Sequence, residues 1–294
     1  MDKIQSYQIG NATVTRVTEL TLSEIPADYL FPNRDRSVLA DARPHWINSE
    51  NTAEDGQSVA LSVHSWIVRL AGKTILIDTG VGNGKSRPLN PVFNQLDTPY
   101  LSRLAAAGVQ PADIDLVLIT HLHVDHVGWN TVLAGNRWVP TFPNAKYVFS
   151  APEYEFYANE KHVQTPSAGV FADSVQPIVD AGQAVLIDAA KQQSVHGFTF
   201  HQTKGHSFDH LSITLESAGE LALFSGDVMH HPVQVAKPDW NSVYCEFQED
   251  ARRSRYWALN FAADNRATFF SSHFPGTSVG VVERDATGFK WIAR

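Results

Sequence analysis

The sequence predicts a mixed α/β fold, in which two β-sheets carry helices on their outer faces within one domain over residues 1–294. Segments with a strand pattern outnumber helical ones, and helical segments occur in both halves of the chain, as expected for two sheets with helices outside them. The composition, 43% hydrophobic and 18% charged, is that of an ordinary globular protein and excludes a disordered or fibrous chain.

The N-terminal part predicts a strand followed by a long loop. Residues 7–20 alternate between polar and apolar side chains, which is typical of a strand. Residues at about 22–57 are rich in Pro, Asp, Asn and Arg and predict a long loop. A loop of this length in a compact domain is often functional, and a surface excursion that docks on the body is the alternative.

A hairpin and a glycine-rich segment follow. Residues 61–70 and 74–78 predict two strands joined by a turn that contains Gly72. The next residues end in Gly84-Lys85-Ser86, as phosphate-binding loops do, but Thr79 stands where the first glycine of that motif belongs. No helical pattern follows either, so nucleotide binding is not favoured.

The remaining elements alternate between strands and helices. Strands are predicted at 114–120, 146–149, 184–187, 198–203, 211–215, 220–225, 268–271, 279–283 and 289–292. Helices are predicted at 99–108, 152–159, 171–181 and 248–263. The strand at 114–120 is an almost continuous apolar run, which indicates a buried strand.

A histidine-rich motif begins where that buried strand ends. It contains His121, His123, Asp125 and His126 within six residues, on a loop of the kind that often carries functional groups. Imidazole and carboxylate are ligands for zinc, iron and related metals. The alternative is a solvated histidine-rich turn, but more metal-binding side chains follow later strands: His206, Asp227 and His273.

The cysteine count narrows the chemistry of any metal site. The chain has 13 histidines and one cysteine, Cys245. One cysteine can form neither an internal disulfide nor a thiolate-rich zinc site. A metal must therefore be held by imidazole and carboxylate.

The sequence resembles the metallo-β-lactamase superfamily over residues 60–275. The matching segments, in the order of that family, are Ile77-Asp78-Thr79-Gly80, residues 120–128 with the HxHxDH motif, Thr203-Lys204-Gly205-His206, Phe224-Ser225-Gly226-Asp227 and His273. The resemblance is greatest to the branch of N-acyl homoserine lactonases and methyl-parathion-hydrolase-like enzymes. It implies an αββα sandwich of two mixed sheets.

The resemblance also implies two divalent metal ions, with zinc first and iron, manganese or cobalt as alternatives. By analogy the ligands of one ion are His121, His123 and His206. Those of the other are Asp125, His126 and His273, and Asp227 bridges both. Asp227 occupies a position that is cysteine in some true β-lactamases, which disfavours β-lactam hydrolysis. His123 in place of glutamate disfavours the diiron flavoprotein branch.

The function so implied is hydrolysis of small organic molecules by a binuclear metal centre, namely lactone or ester cleavage by a hydroxide that bridges the metals. Hydrolysis of phosphotriesters is the alternative within this class. A mononuclear non-haem iron dioxygenase and a non-catalytic binding protein on the same fold are rivals from other classes. The candidate catalytic residues are Asp125, as a proton carrier, and His230, which stands where lactonase relatives have a substrate-contacting tyrosine.

Further side chains are expected around the metals. Asp78 and His210 are expected to contact ligands and orient them. Aromatic residues near the motifs are candidates for the wall of the substrate pocket: Trp129, Phe31, Trp46, Phe142 and Phe274.

Charge and targeting signals define the expected partners. The formal net charge of −8 argues against nucleic acid, and no apolar run is long enough for a membrane span. No leader pattern opens the sequence, so a cytoplasmic location is expected. The expected partner is a small-molecule substrate, and the relatives suggest a homodimer.

Overall fold

The computed structural model describes residues 4–40, 46–191, 194–276, 278–286 and 288–294. Among these residues it has two seven-stranded mixed sheets with helices, so the predicted mixed α/β class is confirmed. Contacts divide the chain into two compact units, Met1–Leu20 with Val63–Lys191 and Thr21–Ser62 with Gln192–Arg294. The single domain over residues 1–294 stays a prediction.

The first sheet contains the strands of the N-terminal half. They are β1 (Ser6–Ile9), β2 (Ala12–Pro26), β3 (Ser58–Leu70), β4 (Lys73–Ile77), β5 (Leu116–Leu118), β8 (Lys146–Ser150) and β9 (Ala184–Ile187), adjacent in that order. Strands β6 (Thr131–Ala134) and β7 (Arg137–Pro140) form a separate hairpin.

Polar side chains gather at one edge of this sheet because its central strands are parallel. Strand β4 pairs with β5 in parallel, with Ile77 opposite Leu118. Asp78 and the loop of residues 119–127 therefore leave the sheet at the same edge. Strands β8 and β9 continue the parallel arrangement.

The second sheet contains the strands of the C-terminal half. They are β10 (Ser194–Val195), β11 (Phe198–Gln202), β12 (Leu211–Ser217), β13 (Glu220–Phe224), β14 (Thr268–Phe270), β15 (Val279–Asp285) and β16 (Gly288–Ala293), adjacent in sequence order. Strands β13 and β14 are parallel, and β11 runs in the same direction as β13 because both are antiparallel to β12. The segments that follow β11, β13 and β14 therefore share one edge.

The helices are mostly short. They are α1 (Ala27–Leu30), α2 (Arg36–Ala40), α3 (Tyr100–Ala106), α4 (Ala151–Tyr157), α5 (Gln176–Asp180), α6 (Val233–Ala236) and α7 (Gln248–Asn265). Helix α7 provides the crossover between parallel strands β13 and β14. Its buried face, Ala258, Leu259 and Ala262, packs in a cluster with Phe269 and Trp291.

The predicted loop at about 22–57 is shorter than expected. Strand β2 continues to Pro26, and helices α1 and α2 lie within the segment. Leu20-Thr21-Leu22-Ser23 extends the alternation of polar and apolar residues into this segment, but Ser23-Glu24 breaks it, so the pattern alone does not predict the end of β2. None of the helices in the described ranges is both long and apolar enough to cross a bilayer.

Candidate metal centre

The loop after β5 brings four predicted ligands together: His121, His123, Asp125 and His126 (the first cluster). The ring centroid of His121 lies 4.0 Å from that of His126 and 4.6 Å from that of His123. Nε2 of His126 lies 3.7 Å from Oδ1 of Asp125. His121 and His126 are buried, and His123 and Asp125 are half-buried.

Asp78 orients this loop through three hydrogen bonds. It accepts from the backbone N–H and the hydroxyl of Thr120, both at 2.8 Å, and lies 2.9 Å from Nδ1 of His126. Because the ionised carboxylate of Asp78 can only accept a hydrogen bond, Nδ1 of His126 carries the proton. In the neutral ring the lone pair is then on Nε2, the usual arrangement in a metal-binding histidine.

The second unit brings together His206, Asp227, His230 and His273 (the second cluster). Oδ2 of Asp227 lies 2.9 Å from Nε2 of His273 and 3.3 Å from Nε2 of both His206 and His230. All four side chains are buried. Ligand atoms of His206, Asp227 and His230 lie within 4.8 Å of one another. A buried carboxylate among imidazoles is a donor set that fits a divalent transition metal.

Two neighbouring groups orient the second cluster. Nδ1 of His273 lies 2.8 Å from the carbonyl oxygen of Ser62 and donates to it, so the lone pair of the neutral ring is on Nε2, which faces Asp227. Nε2 of His210 accepts from the backbone N–H of Asp227 at 2.8 Å, and Nδ1 of His210 lies 2.9 Å from the Thr203 hydroxyl. Both ring nitrogens of His210 are therefore engaged, and it orients Asp227 instead of binding metal.

His230, which the sequence indicates as a candidate catalytic residue, lies beside Asp227, with Nε2 3.3 Å from Oδ2 of that carboxylate. Its ring stacks on that of His273 with centroids 5.4 Å apart and planes 6° apart. Its backbone N–H donates to the side chain of Gln234 at 2.7 Å. Burial lowers the pKa of His230, so the ring is neutral near pH 7.

The aromatic residues expected to line a pocket are mostly packed as core. In the first unit, Trp129 stacks on Tyr100 with centroids 5.3 Å apart, and Phe142 is fully buried. In the second, Phe31 packs on Trp240 and Phe274 on Trp291. All four rings are buried in the described structure, and their place in a pocket wall stays a prediction.

Trp46 is the fifth of these aromatic residues. It is half-buried against the α7 cluster and against a cluster around Leu30 and Phe31. An aromatic residue that the sequence did not single out, Tyr244, lies beside the second cluster. Its ring is 5.7 Å from that of His230. No motif signals Tyr244, since it precedes α7 in an irregular segment.

The glycine-rich segment serves a structural purpose. Nζ of Lys85 is 2.8 Å from the Thr131 hydroxyl and 3.7 Å from the centroid of the Trp138 ring. Burial lowers the pKa of Lys85 to about 8. Because this ammonium is inside the protein, the segment does not offer it to a phosphate.

Curated relatives are hydrolases by name. The chain is 26% identical over 218 residues to hydroxyacylglutathione hydrolase of Aeromonas hydrophila, covering 69% of this chain and 67% of the relative. It is 27% identical over 123 residues to N-acyl homoserine lactonase AiiB of Agrobacterium fabrum, covering 37% and 40%. The match to ribonuclease Z of Mycobacterium avium, 37% over 78 residues, covers 26% of this chain and spans 22% of that relative.

Solved structures share the fold over nearly the whole chain. The hydrolase AbOPH matches with a TM-score of 0.81 at 24% identity, covering 99% of this chain and 97% of the other. AidC, a dizinc quorum-quenching lactonase, matches with a TM-score of 0.79 at 22% identity and the same coverage. A model of the metallo-beta-lactamase superfamily matches residues 59–273, a range that includes both clusters. The chain therefore belongs to the metallo-beta-lactamase superfamily.

Proposed function

We propose that this protein is a binuclear metal-dependent hydrolase that cleaves lactones or esters of small organic molecules. The observation that carries this proposal is the buried Asp227 carboxylate, which faces three imidazoles of the second cluster. It occurs in a chain of the superfamily that also carries the HxHxDH loop. The names of the lactonase and hydroxyacylglutathione hydrolase relatives support this substrate class.

The proposed ligands follow the order of the family motifs. One ion is assigned to His121, His123 and His206. The other is assigned to Asp125, His126 and His273, with Asp227 shared. The hydrogen bonds from Nδ1 of His126 and of His273 support this assignment, because they place the lone pair that can bind a metal on Nε2 of each ring. Zinc is the proposed metal, since it prefers imidazole and carboxylate at such sites.

When bound, two divalent ions supply a water of lowered pKa and a Lewis acid for the substrate's oxygen. The chain's own residues then position the substrate and move protons. The Asp125 side chain is 16% exposed, so it is accessible for carrying a proton to the leaving alkoxide. His230 is a neutral imidazole beside Asp227 and can donate a hydrogen bond to the substrate.

The test combines metal content with a hydrolysis panel. We expect about two zinc-type ions per chain and activity on lactones or aryl esters, with both lost in Asp227→Ala. One iron per chain with oxygen consumption would instead favour a dioxygenase. Activity confined to paraoxon-type triesters would favour the phosphotriesterase alternative. Full metal loading without any hydrolysis would favour a non-catalytic binding protein.

A further inference from the structure

Glu19 is a buried carboxylate that accepts hydrogen bonds from the backbone of the turn before the histidine motif and from the side chain of Trp129 after it. Only 2% of the residue is exposed. It accepts from the backbone N–H of Val81 at 2.5 Å and of Gly82 at 3.2 Å. It also accepts from the indole N–H of Trp129 at 2.7 Å and the Thr98 hydroxyl at 3.1 Å. Burial raises the pKa of Glu19, while these four donors compensate part of the cost of the charge.

The turn that Glu19 binds, residues 79–82, is itself bonded to the end of the metal loop. The backbone N–H of Thr79 donates to the carbonyl of His126 at 2.7 Å. The N–H of Gly128 donates to the carbonyl of Gly80 at 2.7 Å, and that of Trp129 to the carbonyl of Thr79 at 2.9 Å. The turn and the end of the loop therefore form one hydrogen-bonded unit.

The packing between the turn and the loop leaves no room for adjustment. A Cβ on Gly128 would lie 1.8 Å from the carbonyl oxygen of Val81, and one on Gly82 would lie 2.7 Å from the backbone of Gly128. A Cβ on Gly80 would lie 2.1 Å from the carboxylate of Glu19. Since backbone meets backbone directly, a shift of the turn must move the loop.

We propose that Glu19 is a positioning residue for the metal centre: it fixes the turn at residues 79–82 and Trp129, and through them the orientation of the first cluster. The inference rests on the proposed function, because it concerns the loop assigned to bind metal. Asp78, just before this turn, bonds directly to His126, and Glu19 bonds to the end of the turn at Val81. The two carboxylates therefore fix the turn from its two ends.

The test compares Glu19→Gln with a matched variant of the same strand. All four partners of Glu19 are donors, so the amide NH₂ of glutamine must face at least one of them and displace it. We expect the zinc dissociation constant, measured by competition with a chromophoric chelator, to rise about tenfold or more. Val17→Ala, two residues earlier and 3% exposed, removes core methyl groups and leaves the four hydrogen-bond donors of Glu19 unaltered. It should lower Tm and leave zinc affinity unchanged.

A second variant and a second readout keep the two proposals distinguishable. Thr98→Val removes one donor to Glu19 with little change in shape, and its zinc affinity should fall in the same direction by a smaller factor. In metal-free protein, Glu19→Gln should speed hydrogen exchange at the amides of His126 and Gly128, and Val17→Ala should not. Unchanged zinc affinity and unchanged exchange in Glu19→Gln would overturn the inference. A wild-type protein that binds no metal would overturn the proposed function, and the exchange result alone would then decide whether Glu19 positions the loop.

Discussion

His230 has the surroundings of a reacting group as well as of a ligand. It faces Asp227, stacks on His273 and is fully enclosed. We expect His230→Phe to keep the packing of the ring but to lower kcat/KM for a lactone or aryl ester by about 100-fold, as for loss of a proton-transfer or hydrogen-bonding group. Steady-state kinetics on metal-loaded protein measures this.

The control for His230→Phe is His201→Phe. His201 lies on β11, packed on Trp257 and bonded to the Thr214 hydroxyl at 2.8 Å, outside both clusters. Its kcat/KM should stay at the wild-type value. Equal kcat/KM in His230→Phe and wild type would exclude a direct role for His230.

Residues differ in how far sequence alone reveals them. The first cluster was predictable because four metal-binding side chains fall within six positions. Glu19 was not, because one acidic residue in an alternating strand is typical of a solvent-facing position. Its partners Val81 and Trp129 lie 62 and 110 residues further along the chain, so only the fold shows that the carboxylate is buried among donors.

At the scale of elements, long patterns were predicted well and short ones poorly. The β3–β4 hairpin was predicted because two alternating segments flank a glycine turn. The β6–β7 hairpin was missed, although Gly135 and Asn136 form its turn. Each of its strands has four residues, which is too few for a clear alternation, and β7 ends on Pro140.

At Gly205 the backbone next to the predicted ligand His206 packs against helix α7. Gly205 precedes His206, has φ of +120°, and a Cβ there would lie 1.9 Å from the backbone nitrogen of Ala251 in α7. We expect Gly205→Ala to lower the free energy of unfolding by about 3 kcal/mol or more, because both the backbone strain and the overlap with α7 must be accommodated. Urea denaturation measures the loss.

Gly219→Ala is the matched control for Gly205→Ala. Gly219 lies in the turn between β12 and β13 with φ of +83°, and a Cβ there meets nothing within 4 Å. Its loss should be about 1 kcal/mol, the cost of the left-handed backbone alone. Equal losses of unfolding free energy in the two variants would contradict a close contact between the backbone at Gly205 and α7.

At the scale of the whole molecule, the sequence predicted the superfamily but not the packing of side chains. The family motifs follow strand ends in the predicted order, and the match over residues 59–273 bears this out. Four of the five aromatic residues proposed for a pocket wall are buried among other side chains. A hydrophobic pattern indicates that a side chain is buried, but it does not indicate whether protein atoms or a substrate cover that side chain.

The stability of the whole protein should depend on metal and on pH together. A metal that binds only the folded state adds about 2.7 kcal/mol when its free concentration is 100-fold above Kd. For a chain of this size that raises Tm by roughly 4 °C. Imidazoles bind metal only when neutral, so protonation competes with metal as pH falls through about 6.5. We expect the Tm difference between zinc-loaded and EDTA-treated protein to be full at pH 8 and to disappear by about pH 5.

Calorimetry across this range measures the Tm difference, and Asp227→Ala should show little difference at any pH. Identical Tm values with zinc and with EDTA at pH 8 would mean that the two histidine clusters do not hold metal in the folded protein.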